Sequence, residues 1–408
     1  MSIYLVGIGM GTEPTLTLEA KQAIEKSDVI IGASRMLSLA AEHNLPYGES
    51  AVINGKLMLN EYVSDKIYAF LKGIKYKNAS VLLSGDVGFY SGAKKLADIL
   101  GDDAILIAGV STLQYFCAKL KISWQDVCTA SLHGRSENVI QKINRNRYTF
   151  VILDSKDSLH DLCSKLMYYD MNDVIVTLGE DLGYESENII SHKPEKMIDI
   201  KPSKLASAVI ENPCFDNRAC ISIPDDEFIR DSVPMTKSAV RSLSISKLRL
   251  ESDSVVYDVG GGTGSVSVEI ALQHPDIKVY SIEKNPKACE LISLNKKKFK
   301  ADNVDIIEGT APDVLESLPK PDRVFIGGSS GNMKAVIDFV FSKNPKCRIV
   351  VNTVTLNSLN DIYKIIDDND DYDADFTSVQ IAESKRVGKY FMMNGQNPVY
   401  IISITKRG

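Results

Sequence analysis

Val255-Val256-Tyr257-Asp258-Val259-Gly260-Gly261-Gly262-Thr263-Gly264-Ser265-Val266 is the stretch on which the fold turns. An apolar run passes through one acid into glycines at alternate positions, then into a helical apolar pattern reaching Ala271. Buried strand, tight turn and helix start, in that order, open a βαβ unit. Working outward, the same alternation continues in both directions. Short Val/Ile/Leu runs follow at 279–282, 304–307, 324–326 and 349–351, and precede it at 3–6, 29–31, 81–83, 105–107, 150–153 and 174–176. Near-continuous apolar runs suit strands buried on both faces, as in parallel sheets. Helical spacing fills the gaps at 18–26, 93–100, 287–299 and 333–341. The expected class is α/β throughout.

The chain has 408 residues, enough for two or three domains of about 150 residues. Breakers gather at Pro202, Asn212-Pro213, Asn217 and Pro224, so the expected domains are 1–213 and 222–408. Near the C-terminal end, 377–381 alternates and 399–404 is β-rich, with Gly388 and Asn394-Gly395 between them. An antiparallel hairpin added to the parallel sheet is expected there, and the acidic run 367–375 is read as a solvated turn.

Composition excludes several classes. Apolar residues are 44% and charged residues 25%, with 47 Lys plus Arg against 53 Asp plus Glu. The net charge of -6 gives no electrostatic attraction to nucleic acid. The seven cysteines are scattered without C-x-x-C spacing and only five histidines accompany them, so no metal site and no disulfide framework is expected. The opening MSIYLVGIGMG lacks a basic leader, and no apolar run nears the ~18 residues of a membrane span. A cytoplasmic protein without membrane partners is the expectation.

Two acids sharpen the reading of the 258–264 loop. Gly260, Gly262 and Gly264 lack the Cβ atoms that hold a ligand away from a turn. Asp258 sits at the mouth of the loop, and Glu283 ends the next run, 19 residues after Gly264. A carboxylate at that distance accepts ribose hydroxyls. Ser265 stands where the third glycine of a dinucleotide fingerprint is due, and an acid at 258 repels a pyrophosphate but suits an ammonium. S-adenosylmethionine is favoured over NAD, with Gly309, Thr310 and Ala311 as a bed for adenine. The first half carries its own small-residue turns after strands: Gly7-Ile8-Gly9-Met10-Gly11, Gly85-Asp86-Val87-Gly88-Phe89 and Ala108-Gly109-Val110-Ser111-Thr112. Three such turns build a cleft that reads a ligand through backbone groups.

The second half resembles the decarboxylating precorrin methyltransferase family of cobalamin synthesis. The resemblance rests on Pro224 to Phe228, Val233-Pro234-Met235-Thr236-Lys237, the 258–264 loop, Arg323 to Ser329, Val351 to Leu356 and Asn397-Pro398-Val399. The first half resembles the tetrapyrrole methylases, in the carbon 5 type, through its three turns, Leu132-His133-Gly134-Arg135 and Leu178-Gly179-Glu180. Val87 and Ala108 stand where that family has proline. Together the halves resemble the fused precorrin-6Y C(5,15)-methyltransferases (decarboxylating).

The resemblance implies a two-subdomain tetrapyrrole methylase fold followed by a Rossmann-like methyltransferase domain. It implies methylation of a precorrin or cobalt-precorrin macrocycle at carbons 5 and 15, loss of the ring C acetate carboxylate, and two S-adenosylmethionine sites. It implies contacts from Gly7, Gly9, Gly85, Asp86, Val87, Gly88, Phe89, Ser111 and Thr112 in the first half. In the second, the Asp258 to Gly264 loop, Glu283 and residues 309–311 serve, with self-association through this half. Asp313, Thr236 and Ser329 are candidate catalytic groups, and Lys237, Arg241 or Arg323 candidate clamps for substrate carboxylates. His133 is either a general acid/base or a hydrogen-bonded loop histidine. Two other readings stay open: an NAD(P)-dependent oxidoreductase, and a non-catalytic tetrapyrrole carrier or sensor.

Overall fold

A computed structural model describes residues 2–132, 138–153, 155, 157–203, 205–218, 222–329 and 331–407. The chain divides into two units. Unit 1 holds Met1–Ser136, Asn146–Met167 and Asn172–Pro213; unit 2 holds Glu137–Arg145, Tyr168–Met171 and Cys214–Gly408.

Unit 1 contains two sheets. The first is built from β1 (Ser2–Gly7), β2 (Val29–Gly32), β3 (Ser50–Ile53), β4 (Lys56–Asn60), β5 (Asn78–Leu83) and β6 (Ala104–Ile107), in the order β3-β4-β2-β5-β1-β6. All its pairings are parallel except β3 with β4. Its central strands send alternate residues to opposite faces: Leu5, Val29, Ile31 and Val81 to one core, Val6, Ile30 and Leu82 to the other. The second sheet has β7 (Val127–Ser131), β8 (Tyr148–Ile152), β9 (Ile175–Glu180), β10 (Asn188–His192) and β11 (Ala206–Glu211), in the order β10-β9-β11-β8-β7. Only β7 with β8 is parallel there.

Unit 2 is one seven-stranded sheet with a separate two-stranded ribbon. Its strands are β12 (Val255–Val259), β13 (Lys278–Glu283), β14 (Val304–Glu308), β15 (Arg323–Ile326), β16 (Arg348–Thr353), β17 (Tyr372–Val379), β18 (Ala382–Val387), β19 (Tyr390–Gly395) and β20 (Val399–Lys406). The large sheet runs β14-β13-β12-β15-β16-β20-β17, with β18 and β19 as the ribbon. From β14 to β16 every pairing is parallel, and β20 enters antiparallel between β16 and β17. That is a doubly wound, Rossmann-like order whose direction of winding reverses between β12 and β15, where a crevice opens at the strands' carboxyl ends. Val256, Phe325, Val350 and Ile401 fill one face; Tyr257, Val324, Ile326, Ile349 and Ile402 fill the other.

The expected helices stand at Leu18–Lys26, Ala93–Leu100, Pro286–Lys298 and Met333–Lys343. Thr17 starts the first by accepting from the Ala20 amide at 3.2 Å, and Asn285 starts the third by accepting from Lys287. Three local expectations change. Asn394-Gly395 is no turn but the end of β19, and the reversal falls at Gly388, whose φ is +61°. The acidic run is split between the end of helix Leu356–Asp367, a short turn and the start of β17. The breaker-rich stretch 202–224 contains β11, a central strand of the second sheet, with five of its six residues buried. Among the described residues no helix is long and apolar enough to cross a membrane.

Candidate functional site

A cavity of about 820 Å³ opens in unit 2 at the carboxyl ends of its parallel strands, well within the range of small-molecule sites. Asp258, Gly260, Glu283, Thr310, Ser329 and Asn352 are among the residues that line it. β12 delivers Asp258 at its buried end, and the glycine turn follows with φ of +80° at Gly260, +56° at Gly262 and +77° at Gly264. That region of backbone space costs an L side chain energy, which is why glycine recurs here. The turn is also crowded: a Cβ on Gly260 would lie 2.6 Å from the Gly328 carbonyl oxygen, and one on Gly262 3.2 Å from that of Pro234.

Glu283 ends β13 and grips the turn. Its Oε2 accepts from the Gly262 amide and its Oε1 from the Asn285 amide, both at 2.9 Å. A carboxylate has about four acceptor sites, so acceptors remain for a ligand hydroxyl. The Glu283 carbonyl in turn accepts from the Gly309 amide at 2.9 Å. Beyond it Thr310 and Ala311 line the cavity, Ala311 being 4% exposed.

Asp258 is 1% exposed. One oxygen accepts from the Ser267 hydroxyl, and Ser267 contacts Ser281 at 2.7 Å. The other, Oδ1, has no hydrogen-bond partner among the described residues, and neither has the Thr263 hydroxyl, which also lines the cavity. Burial pushes the Asp258 carboxyl up to about 6, against the pull of Ser267 and with a smaller push from Glu283. A buried acid with an unused oxygen beside a cavity calls for a cationic or donor group. Asp258, the bare glycine turn and Glu283 together suit the ammonium, sulfonium and ribose of S-adenosylmethionine.

The far wall is a strap, 232–237, which brings Thr236 and Lys237 to the cavity. Arg241 holds it from behind. Its guanidinium is wholly buried, pairs with Glu269 at 2.9 Å and Asp225 at 3.1 Å, and donates to the Thr236 carbonyl at 2.6 Å. It also stacks over the Phe228 ring, 4.8 Å from the centroid. Arg241 is therefore no clamp for substrate carboxylates, since two acids of the protein already hold it. Arg323 pairs with Glu251 at 2.7 Å and donates to the Arg249 carbonyl, so it is engaged as well. Of the three cations only Lys237 lines the cavity. Ser329 and Thr236 are both on its wall, half-buried, whereas Asp313 is exposed and outside the lining.

In unit 1 the three small-residue turns converge. Gly9 and Gly85 exchange both backbone hydrogen bonds, at 3.1 and 2.8 Å. A Cβ on Gly109 would lie 2.3 Å from the Gly85 oxygen and 2.6 Å from the Gly7 carbonyl. Asp86 ties two turns together, accepting from Gly88 at 2.8 Å and from Gly109 at 3.0 Å. Ser111 caps the helix Thr112–Leu120 in a reciprocal box with Gln114, which occupies its hydroxyl. Thr112 is the first helical residue. Val87 and Phe89 face inward: Val87 packs beside the core of the first sheet, and Phe89 lies 5.8 Å from Phe150, centroid to centroid. Geometry thus gives Asp86 and Ser111 a part in shaping the turns, while Gly7, Gly9 and Gly85 are buried, with Gly9 and Gly85 bonded to each other and the Gly88 amide to Asp86. His133 lies outside the described residues.

Comparison with known proteins follows this division. Residues 2–197 match the family model of tetrapyrrole (corrin/porphyrin) methylases, and residues 226–406 that of the precorrin methyltransferase domain. Over 184 residues the chain is 42% identical to a probable cobalt-precorrin-6B C(15)-methyltransferase (decarboxylating) of Pyrobaculum calidifontis, covering 44% of this chain and 94% of that protein. The chain belongs to this methyltransferase family. The Salmonella typhimurium member is 38% identical over 184 residues, covering 45% of this chain and 95% of its own. A crystal structure of a precorrin-6Y C5,15-methyltransferase from Geobacter metallireducens is 41% identical, covering 46% of this chain and 97% of that one, with a TM-score of 0.44.

Asn352 and Asn397, quoted above only within motifs of the resemblance, line this methyltransferase's cavity, and Gln396, which no motif included, joins them. Asn352 comes from the end of β16 and donates to the Ser244 hydroxyl at 2.8 Å. A polar residue directly after a buried run is the signal that would have found it. Gln396 and Asn397 reach the same cavity from beyond the β18–β19 ribbon.

Proposed function

We propose that the chain methylates a precorrin-type tetrapyrrole twice, at carbon 5 through unit 1 and at carbon 15 through unit 2, and that unit 2 also releases the ring C acetate carboxylate as carbon dioxide. The observation that carries the reading is the unit 2 cavity at the winding reversal, with its left-handed glycine turn, unpartnered Asp258 oxygen and strand-end Glu283. Bound there, S-adenosylmethionine supplies an activated methyl group on a good leaving group. Gly260, Gly262 and Gly264 would admit it, Asp258 would balance its positive charge, Glu283 would accept from its ribose, and Gly309 to Ala311 would bed its adenine. A second such molecule would sit on the three turns of unit 1.

The protein's own task is then to hold the macrocycle carbon in line and keep water out. Thr236, Ser329 and Asn352 give the cavity wall neutral polar groups, and Lys237 gives it a cation for substrate carboxylates. An acid-lined turn is a poor seat for the pyrophosphate of NAD(P), which argues against hydride transfer. Cytoplasmic action and self-association through unit 2 belong to the same proposal. The β18–β19 ribbon supports the latter, with Tyr390, Phe391, Met392 and Met393 each more than half exposed, since such patches mark contact surfaces.

The test is product analysis with the full-length protein, methyl-labelled S-adenosylmethionine and a precorrin substrate. Two labelled methyls and the loss of one carbon dioxide are expected. A product with neither, or tight NADH binding without S-adenosylhomocysteine binding, would replace this reading with the oxidoreductase one.

Asp258 adds a pH dependence. Its folded value of about 6 lies above the unfolded value, so the folded state binds the extra proton. The group's contribution to stability is full below the unfolded value and is lost as pH rises toward about 6. A cation beside it favours the ionised form, so S-adenosylhomocysteine should bind unit 2 more weakly as pH falls below about 6. Calorimetric titration across pH 5 to 8 checks this, and Asp258→Asn should flatten the profile.

A further inference from the structure

Arg35 has no role in anything described so far. It follows β2, in the short helix Ser34–Leu37, at the carboxyl end of the first sheet. The residue is half-buried, and its guanidinium bonds to loops that follow two other strands: Nη2 donates to Ser84, just after β5, at 3.3 Å, and Nη1 to the Tyr184 hydroxyl, after β9, at 2.9 Å. Gly11, after β1, completes the enclosure. Its φ is +86°, and a Cβ there would lie 2.5 Å from the Tyr184 hydroxyl and 3.5 Å from Nη1. The third glycine of the first-half loop is thus explained by the room that Tyr184 and Arg35 need.

A guanidinium has five donors, and Arg35 uses two of them, both on neutral hydroxyls. Among the described residues no carboxylate pairs with it, in contrast to Arg241 and Arg323. A half-buried cation without a counter-ion is costly unless a ligand provides one. The planar fork, held by Tyr184 on one side and Ser84 on the other, is suited to a carboxylate in two-point contact.

We propose that Arg35, oriented by Tyr184 and Ser84, binds a carboxylate side chain of the macrocycle and so sets its position for the carbon 5 methylation of unit 1. The inference rests on the function proposed above. The amino-acid carboxylate of S-adenosylmethionine has the same chemistry, and the experiment separates the two sources.

The full-length Arg35→Gln variant is assayed for methylation at each carbon by position-resolved labelling, and for S-adenosylhomocysteine binding by calorimetry. The expected result is a rise in KM for the macrocycle in carbon 5 methylation of about 10- to 100-fold, the scale of a lost charge-assisted contact. S-adenosylhomocysteine affinity and carbon 15 methylation should not change, and Arg35→Lys should recover part of the loss. An unchanged KM overturns the proposal. So does equal weakening of S-adenosylhomocysteine binding, which would assign Arg35 to the methyl donor. A wild-type protein without carbon 5 methylation removes the functional reading and this inference with it, whereas a wild type active at carbon 5 with a silent Arg35→Gln removes this inference alone. If Arg35→Gln lowers the unfolding temperature, Tyr184→Phe decides. It keeps the ring but frees the fork, and a KM rise of about two- to fivefold is expected. No rise overturns the proposal.

Discussion

Replacing Arg241 by methionine is expected to destabilise unit 2 by about 3–5 kcal/mol, the usual cost of removing one partner from a buried ion pair. Arg241 and Glu269 are both fully buried and 2.9 Å apart. Burial alone pushes the Glu269 carboxyl up, and Arg241 is the main group pulling it back. Without the guanidinium, Glu269 must protonate or remain an uncompensated charge, and the Ile223 and Thr236 carbonyls lose their donor. For a unit of this size the unfolding midpoint should fall on the order of 10 °C. The double variant Arg241→Met, Glu269→Leu should recover more than half of the loss, because it removes both charges together. Thermal unfolding of the three variants beside the wild type measures this. Additive losses in the double variant would mean that the pair is not coupled. The strap hangs on the same guanidinium, so carbon 15 methylation should suffer even where the fold survives.

The Gly260→Ala variant should lose carbon 15 methylation and decarboxylation by at least about 100-fold, close to 3 kcal/mol of barrier, while carbon 5 methylation continues. The added Cβ would meet backbone atoms of Gly328, the oxygen at 2.6 Å and the nitrogen at 2.8 Å, at a residue whose φ is +80°. A flexible side chain would yield, but here the loop after β15 has to move, and that loop carries Ser329 to the cavity. Gly388→Ala is the matched control: its φ is also positive, at +61°, but nothing lies within 4 Å. Methyl transfer resolved by position on the macrocycle separates the two units. Equal loss at carbons 5 and 15 would show that the substitution unfolds the chain instead of closing one site.

Much of this was legible before any coordinates. The buried parallel strands of both units stood out because a strand covered on both faces must be apolar at every position. The Asp258–Gly264 loop and Glu283 were readable because a turn that approaches a ligand closely has no room for side chains. The strands β3, β4, β7, β10, β11, β18 and β19 were not found. Most of them carry polar residues or lie at a sheet edge, as in Thr129 of β7 and Ser191 of β10, so their pattern merges with that of loops. β11 is buried and central, yet it is flanked by prolines and asparagines that read as linker.

The amino-acid sequence by itself determined which segments are strands buried on both faces and where the close-approach glycines fall. These are local properties, written in hydrophobic period and the absence of Cβ atoms. Which charges are available to a substrate was decided only by the tertiary structure. Arg241, Arg323, Lys237 and Arg35 are equally cationic as letters, but the fold brings acids to the first two, sets Lys237 at the cavity with Asp225 3.6 Å away, and among the described residues gives Arg35 two hydroxyls and no carboxylate. A charge is neutralised by whatever lies within a few ångströms, and those neighbours come from distant parts of the chain.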